Sequence, residues 1–226
     1  MEASKVISEL EAMKNDRNIA GMARFGINPK GTLGVPMPKL RRMAKSLGKG
    51  HQLAAGLWDS GIHEARILAS LVDAPSKVTE KQMESWVSDF DSWGVCDQVC
   101  MNLFSETPFA WKKAREWTER KEEFVKRAGF VLIAVLAVHD KKAEDQDFMP
   151  FLGSIKKGAT DGRNFVRKAV NWALRQIGKR NKALNKAAIS TAKEIRAMDS
   201  KAARWIAADA LRELESGAVG VRLSKK

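Results

Sequence analysis

The sequence has no tyrosine, two cysteines, three histidines and six prolines in 226 residues. So few metal-capable side chains, scattered along the chain, make no ligand set. "HEAR" at 63–66 also lacks the second histidine of a zinc-protease helix. Cys96 and Cys100 stand four apart on one expected helix, where a disulfide forms poorly. They read as reduced core thiols, and the expected compartment is the cytoplasm. The scarcity of proline and the absence of a long polar tract exclude a disordered chain. The best apolar run, "AGFVLIAVLAV" at 128–138, falls well short of the roughly 20 residues a membrane span needs. The N-terminal "MEASKVISEL" is polar and acidic, unlike a signal peptide. β-branched alternation is almost absent, so nothing in the pattern asks for strands.

Acidic residues are also in deficit. Forty Lys and Arg face 27 Asp and Glu, giving a net charge of +13. That excess points to a polyanionic partner, with nucleic acid ahead of an acidic membrane. Seven tryptophans accompany the charge.

Helix formers dominate the rest. The periodicity predicts helices at 2–14, 37–47, 51–58, 61–72, 79–89, 92–104, 108–118, 122–138, 145–156, 163–178, 182–197 and 200–215. Breakers separate them, as in "GINPKGTLGVPMP" at 26–38 and "KKGATDGRN" at 156–164. A weak internal repeat runs through the second half. "FVKRAGFVLIAVL" starts at Phe124 and "FVRKAVNWALRQI" at Phe165, 41 residues later. "SKAARWIAADALREL" follows from Ser200, and "HEARILASLV" at 63–72 is a worn earlier copy. A period of about 40 built from two helices is the mark of HEAT-like repeats. The expected fold is therefore an all-α HEAT-like repeat α-solenoid. Stacked antiparallel helix pairs would form a curved superhelix with a concave groove, in one domain over residues 1–216. Residues 217–226 are expected to be a flexible basic tail.

Three positions stand out on these helices. In "SWGVCDQVCMNLF" at 92–104, Asp97 falls on the apolar arc, one turn after Trp93 and one turn before Met101. A carboxylate among core residues is costly unless paired or hydrogen-bonded. It either has a structural partner or does chemistry. Arg127 sits at the entrance of a helix that is apolar all round from Ala128 on, and needs water or a carboxylate. Trp172 lies at the edge of its helix's core face, on the side that carries Lys168, Asn171 and Arg175. An aromatic beside cations suits nucleic-acid contact, and equally a ring that caps the core edge.

Taken in order, "MARF" at 22–25, "GVPMPKLRRMAK" at 34–45, "WGVCD" at 93–97, "KRAGFVL" at 126–132 and "RKAVNWALRQIGKRN" at 167–181 resemble the HEAT-like DNA alkylation repair glycosylases of the AlkD type. The resemblance implies hydrolysis of the N-glycosidic bond of cationic N3- and N7-alkylated purines in double-stranded DNA. It implies no metal or organic cofactor. The family's Trp-x3-Asp pattern, followed by an Arg and a Trp on later repeats, lands on Trp93, Asp97, Arg127 and Trp172 as catalytic residues. Phe25 stands where the family usually has a tyrosine, so a phenol hydroxyl is missing while the ring remains. Phe25, Arg41, Arg42, Phe165, Lys168 and Arg175 are the expected DNA contacts. The expected protein is a monomer in the cytoplasm, associated with the nucleoid through DNA and not with a membrane. Two rival classes share the charge and the repeats: a non-catalytic binder of damaged or unusual DNA, and a protein–protein scaffold.

Overall fold

The computed structural model describes residues 2–225, and every regular element among them is helical. Contacts concentrate in two compact units, one up to Ala110 and the other from Trp111 on. The first unit holds α1 (Ala3–Glu11), α2 (Asp16–Arg24), α3 (Met37–Leu47), α4 (His51–Asp59), α5 (His63–Val72), α6 (Glu80–Ser88) and α7 (Trp93–Asn102). Short 3₁₀ turns at Pro75–Lys77 and Phe104–Glu106 link the later ones. At the boundary begins α8 (Ala110–Thr118). The second unit continues with α9 (Glu123–His139), α10 (Asp145–Gly158), α11 (Asn164–Gly178), α12 (Lys182–Arg196), α13 (Lys201–Leu214) and α14 (Gly217–Ser224).

The starts of the helices follow side-chain capping. Asn15, Thr79, Ser92, Asn181, Ser200 and Ser216 each accept a backbone N–H three residues on, at the N-termini of α2, α6, α7, α12, α13 and α14. Consecutive helices fold back in pairs, with α4 on α5, α10 on α11 and α12 on α13. In the first unit the packing centres on Trp58 and Trp86, whose rings stack at 4.0 Å. In the second, Trp117, Phe130, Phe148 and Phe151 are fully buried. As its composition requires, α9 is buried at every position from Ala128 to Ala137. Gly129 makes that possible against α8, because a Cβ there would lie 2.6 Å from the Thr118 nitrogen.

Several of the bonds between repeats in the second unit share one offset, among others that span 34 to 43 residues. Arg127 Nη1 donates to the Phe165 carbonyl at 2.5 Å. Asn171 Nδ2 donates to Asp209 at 2.7 Å, and Arg175 Nη1 to Glu213 at 2.7 Å. On the other row of helices Lys156 meets Glu194 at 2.7 Å and Lys157 meets Glu119 at 3.4 Å. All five bonds span 38 residues. The repeat therefore has a spatial register of 38, inside the range of the sequence spacings.

Two expectations need correction. α2 lay outside every predicted helix, because its nine residues bury nothing and give no core stripe. Residues 217–224 are not a flexible tail but α14, capped by Ser216 and anchored by buried Val219 and Leu223. That pair, spaced i and i+4, is too short a stripe to register as a helix in the sequence. Cys96 and Cys100 are both buried and are not joined in a disulfide.

Candidate functional site

The exposure pattern of α7 revises the expectation for Asp97. Its core face is Val95, Cys96, Val99 and Cys100, all buried. Trp93, Asp97 and Met101 form a half-buried stripe along the border of that face. Trp93 and Met101 count as apolar in a sequence pattern, but both stand at the edge, and Asp97 stands with them. Asp97 as a residue thus keeps part of its surface at solvent. Ser92, fully buried, caps the helix and fixes where Trp93 begins it. The Trp93 indole Nε1 donates to the Phe25 carbonyl at 2.8 Å. Phe25 closes α2, and its ring is 73% exposed. Gly94, the next residue, lies against His63 so closely that a Cβ would stand 3.0 Å from the imidazole Cε1.

The carboxylate that does lie in the core is Glu64, on α5. It is 1% exposed and accepts three backbone N–H groups, from Leu33 at 2.8 Å, Gly34 at 2.6 Å and Val35 at 3.3 Å. Gly34 adopts a positive φ of 74°, and a Cβ there would fall 2.5 Å from the Asn15 carbonyl. The loop before α3 is therefore strapped to α5 by one side chain. His63 beside it is 7% exposed, and its ring meets Ser92 Oγ at 3.5 Å. Burial pushes its pKa below the usual histidine value; Glu64 and Asp91 pull it back up, and Arg66 lowers it further. These groups and Trp93 wall a cavity of about 730 Å³, otherwise lined mainly by apolar side chains such as Met22, Phe25, Val35 and Leu40.

The second unit carries Arg127, Phe165, Lys168, Trp172 and Arg175. Arg127 is 6% exposed despite its charge, and the Phe165 carbonyl is one of its partners. The Phe165 ring stacks on Phe124 with centroids 5.7 Å apart. Trp172 is half-buried and Lys168 is exposed. The basic strip expected beside Trp172 is less open than its residues implied. Asn171 is 3% exposed and turns inward to Asp209. Arg175 pairs with Glu213 at 2.7 Å and lies 3.4 Å from Asp209. Glu213 is raised by burial, but Lys179 and Arg175 outweigh this and hold it below the ordinary carboxylate range. Arg41 and Arg42, on α3 of the first unit, are exposed.

The structure thus joins Trp93 to Phe25 and Arg127 to Phe165. Sequence reasoning missed Glu64, whose partners come from a loop some 30 residues away. It also missed Trp205, 38% exposed, with the Arg167 guanidinium 4.8 Å over its ring. Among the described residues no group of three or more His, Cys, Asp or Glu side chains could hold a metal ion, and no helix is long and apolar enough to cross a membrane.

Comparison with known proteins adds three findings. The family model for DNA alkylation repair enzymes matches residues 6–214. No curated protein matches the chain by sequence. Among solved structures, the chain is similar to a member of "a new family of proteins related to the HEAT-like repeat DNA glycosylases with affinity for branched DNA structures", with 21% identity, 97% of each chain covered and a TM-score of 0.80. It also matches a designed armadillo repeat protein in complex with a (KR)4 peptide, at 14% identity over 82% of this chain and 79% of that one, with a TM-score of 0.41. The fold is the HEAT-like repeat fold that the period implied.

Proposed function

The chain belongs to the DNA alkylation repair enzyme family, and we propose that it is a DNA glycosylase acting on cationic N3- and N7-alkylated purines in double-stranded DNA. The observation that carries this is the stripe on α7: half-buried Asp97 one turn after Trp93, with the indole held by the Phe25 carbonyl. An alkylated purine already bears positive charge and departs without a general acid. One of the two carboxylates that glycoside hydrolases usually need is then dispensable. What remains is to stabilise an oxocarbenium-like sugar and to hold the attacking water. A single fixed carboxylate does both, since it opposes charge that develops only as the bond breaks. Water attacks the anomeric carbon, the C–N electron pair leaves with the purine, and the water's proton passes to Asp97.

Trp93 offers an electron-rich face to the sugar and the cationic nucleotide, and the resemblance gives Trp172 the same part. Arg127, with the Phe165 carbonyl as one partner, holds a phosphate or keeps Asp97 ionised. Phe25 fits this scheme without a hydroxyl, because the group that Trp93 uses is its backbone carbonyl. Arg41, Arg42, Phe165 and Lys168 contact the DNA backbone; Arg175 contributes a charge already shared with Glu213. If about five to eight phosphates are neutralised, log affinity falls against log salt with a slope near −5 to −7. In this scheme the enzyme works as a monomer, on DNA in the cytoplasm, without metal or cofactor.

A second reading is a non-catalytic binder of unusual DNA. It is favoured by the branched-DNA affinity described for the similar solved protein. One experiment separates the two: 7-methylguanine release from methylated duplex, run beside titrations of a duplex and a four-way junction. Base release supports the glycosylase. No release, together with tighter binding of the junction than of the duplex, overturns it in favour of the binder.

A further inference from the structure

A second cavity lies wholly within the second unit, at the far ends of the helices that carry Arg127 and Lys168. It encloses about 390 Å³. Cations reach it from three places in the chain: Lys141 after α9, Lys179 and Arg180 at the end of α11, and Arg222 on α14. The carboxylate in its lining, Asp145, accepts a hydrogen bond from Asn181 at 2.6 Å. Arg180 is a strap: its guanidinium donates to the Ala137 and Ala143 carbonyls and lies 4.6 Å over the Phe148 ring. Lys179 pairs with Glu213 at 2.6 Å from the adjoining side, and Lys141 donates to the Val138 carbonyl.

Helix C-termini favour cations, which accounts for Lys141, Lys179 and Arg180 one at a time. Arg222 also stands in the last turn of its helix, α14, so the preference covers it taken alone, but not the convergence of all four on one cavity. The Arg222 side chain is exposed, belongs to a different helix, and has no carboxylate partner among the described residues. Four cations around one cavity, against Asp145 in its lining and Glu213 on Lys179, leave positive charge that an anion can neutralise. A guanidinium and ammonium groups converging from separate elements suit a phosphate, which accepts from several donors at once.

We propose that this cavity is a phosphate site, and that the phosphate it takes belongs to a DNA backbone. It stands apart from the proposed chemistry. Ten residues of α9 separate Arg127 from Ala137, about 15 Å of helix, and α11 gives a similar spacing between Lys168 and Lys179. The inference rests on DNA as the partner and not on base excision, so its test uses undamaged DNA.

The experiment compares the wild-type protein with Arg222→Glu and Lys141→Glu, both changes at exposed positions, with Arg222→Gln and Lys141→Gln as milder versions. Inorganic phosphate is titrated first, without DNA, with amide chemical shifts at 179–181 as the readout. Undamaged duplex is then titrated at several salt concentrations. The expected result is phosphate-dependent shifts that vanish in the charge-reversed variants. Duplex affinity should fall roughly tenfold at low salt and the salt slope should shrink by about one, while thermal melting is unchanged. Phosphate shifts that persist in every variant would overturn the site. Shifts lost without any change in duplex affinity would overturn the backbone assignment and make a free phosphate the ligand.

Discussion

The two units of this protein place their polar side chains in opposite ways. The second unit spends them between repeats. Five bonds, each 38 residues in span, tie one helix pair to the next, and most end on carboxylates that remain partly at solvent. The first unit gathers them inward. One carboxylate, Glu64, is fully enclosed and gathers three backbone N–H groups of a loop. The first arrangement distributes its strength, so that losing any rung is tolerable. The second concentrates it, so that one side chain decides whether a wall of the 730 Å³ cavity exists. Trp93 lies on that cavity, and the proposed chemistry inherits the dependence.

Glu64→Ala should therefore have the largest effect on stability. It strands three donors, each worth about 1–3 kcal/mol when left unsatisfied, and the total should reach about 3–5 kcal/mol. Denaturant unfolding measures it, and hydrogen exchange at residues 33–35 should rise with it. A loss under about 1 kcal/mol would mean that the loop holds itself. Removing a rung of the ladder is milder. Asn171→Ala leaves Asp209 with Arg212 and Arg175 as remaining partners, so a cost of about 1–2 kcal/mol is expected. If Asn171→Ala costs as much as Glu64→Ala, the contrast between the units fails.

The smallest effect is one of pH. Burial depresses the folded-state pKa of His63 below its ordinary 6.5. Below that value the unfolded chain takes up a proton that the folded chain resists. The contribution of neutral His63 is thus fully present above about pH 6.5 and fades as the pH falls through it. His63→Gln should flatten the stability profile below about pH 6.5. An unchanged profile would place the acid sensitivity elsewhere.

The same contrast explains what was legible in the sequence. The second unit repeats, so its helices up to α13, its period and the enclosed α9 follow from apolar spacing alone. The first unit departs from the repeat with α2, which buries nothing, and with a loop that pairs with a helix far along the chain. Periodicity carries no information on either. Asp97 was misjudged for a related reason. Hydrophobicity marks Trp93 and Met101 as core, yet both are half-buried, and the position between them shares that border. The question that Asp97 raised about a carboxylate among core residues belongs instead to Glu64, inside "HEAR", where only the metal motif was sought.

The central claim is that Asp97 opposes the charge of the departing sugar, and Asp97→Asn tests it most directly. The substitution keeps shape and removes the negative charge. Release of 7-methylguanine from methylated duplex should fall roughly a hundredfold or more, the scale of one fixed electrostatic group. DNA affinity should hold or rise, because a carboxylate near phosphates is gone, and the melting temperature should change little, because the side chain is only half-buried. Undiminished release together with a large drop in melting temperature would contradict the account and make Asp97 a structural residue.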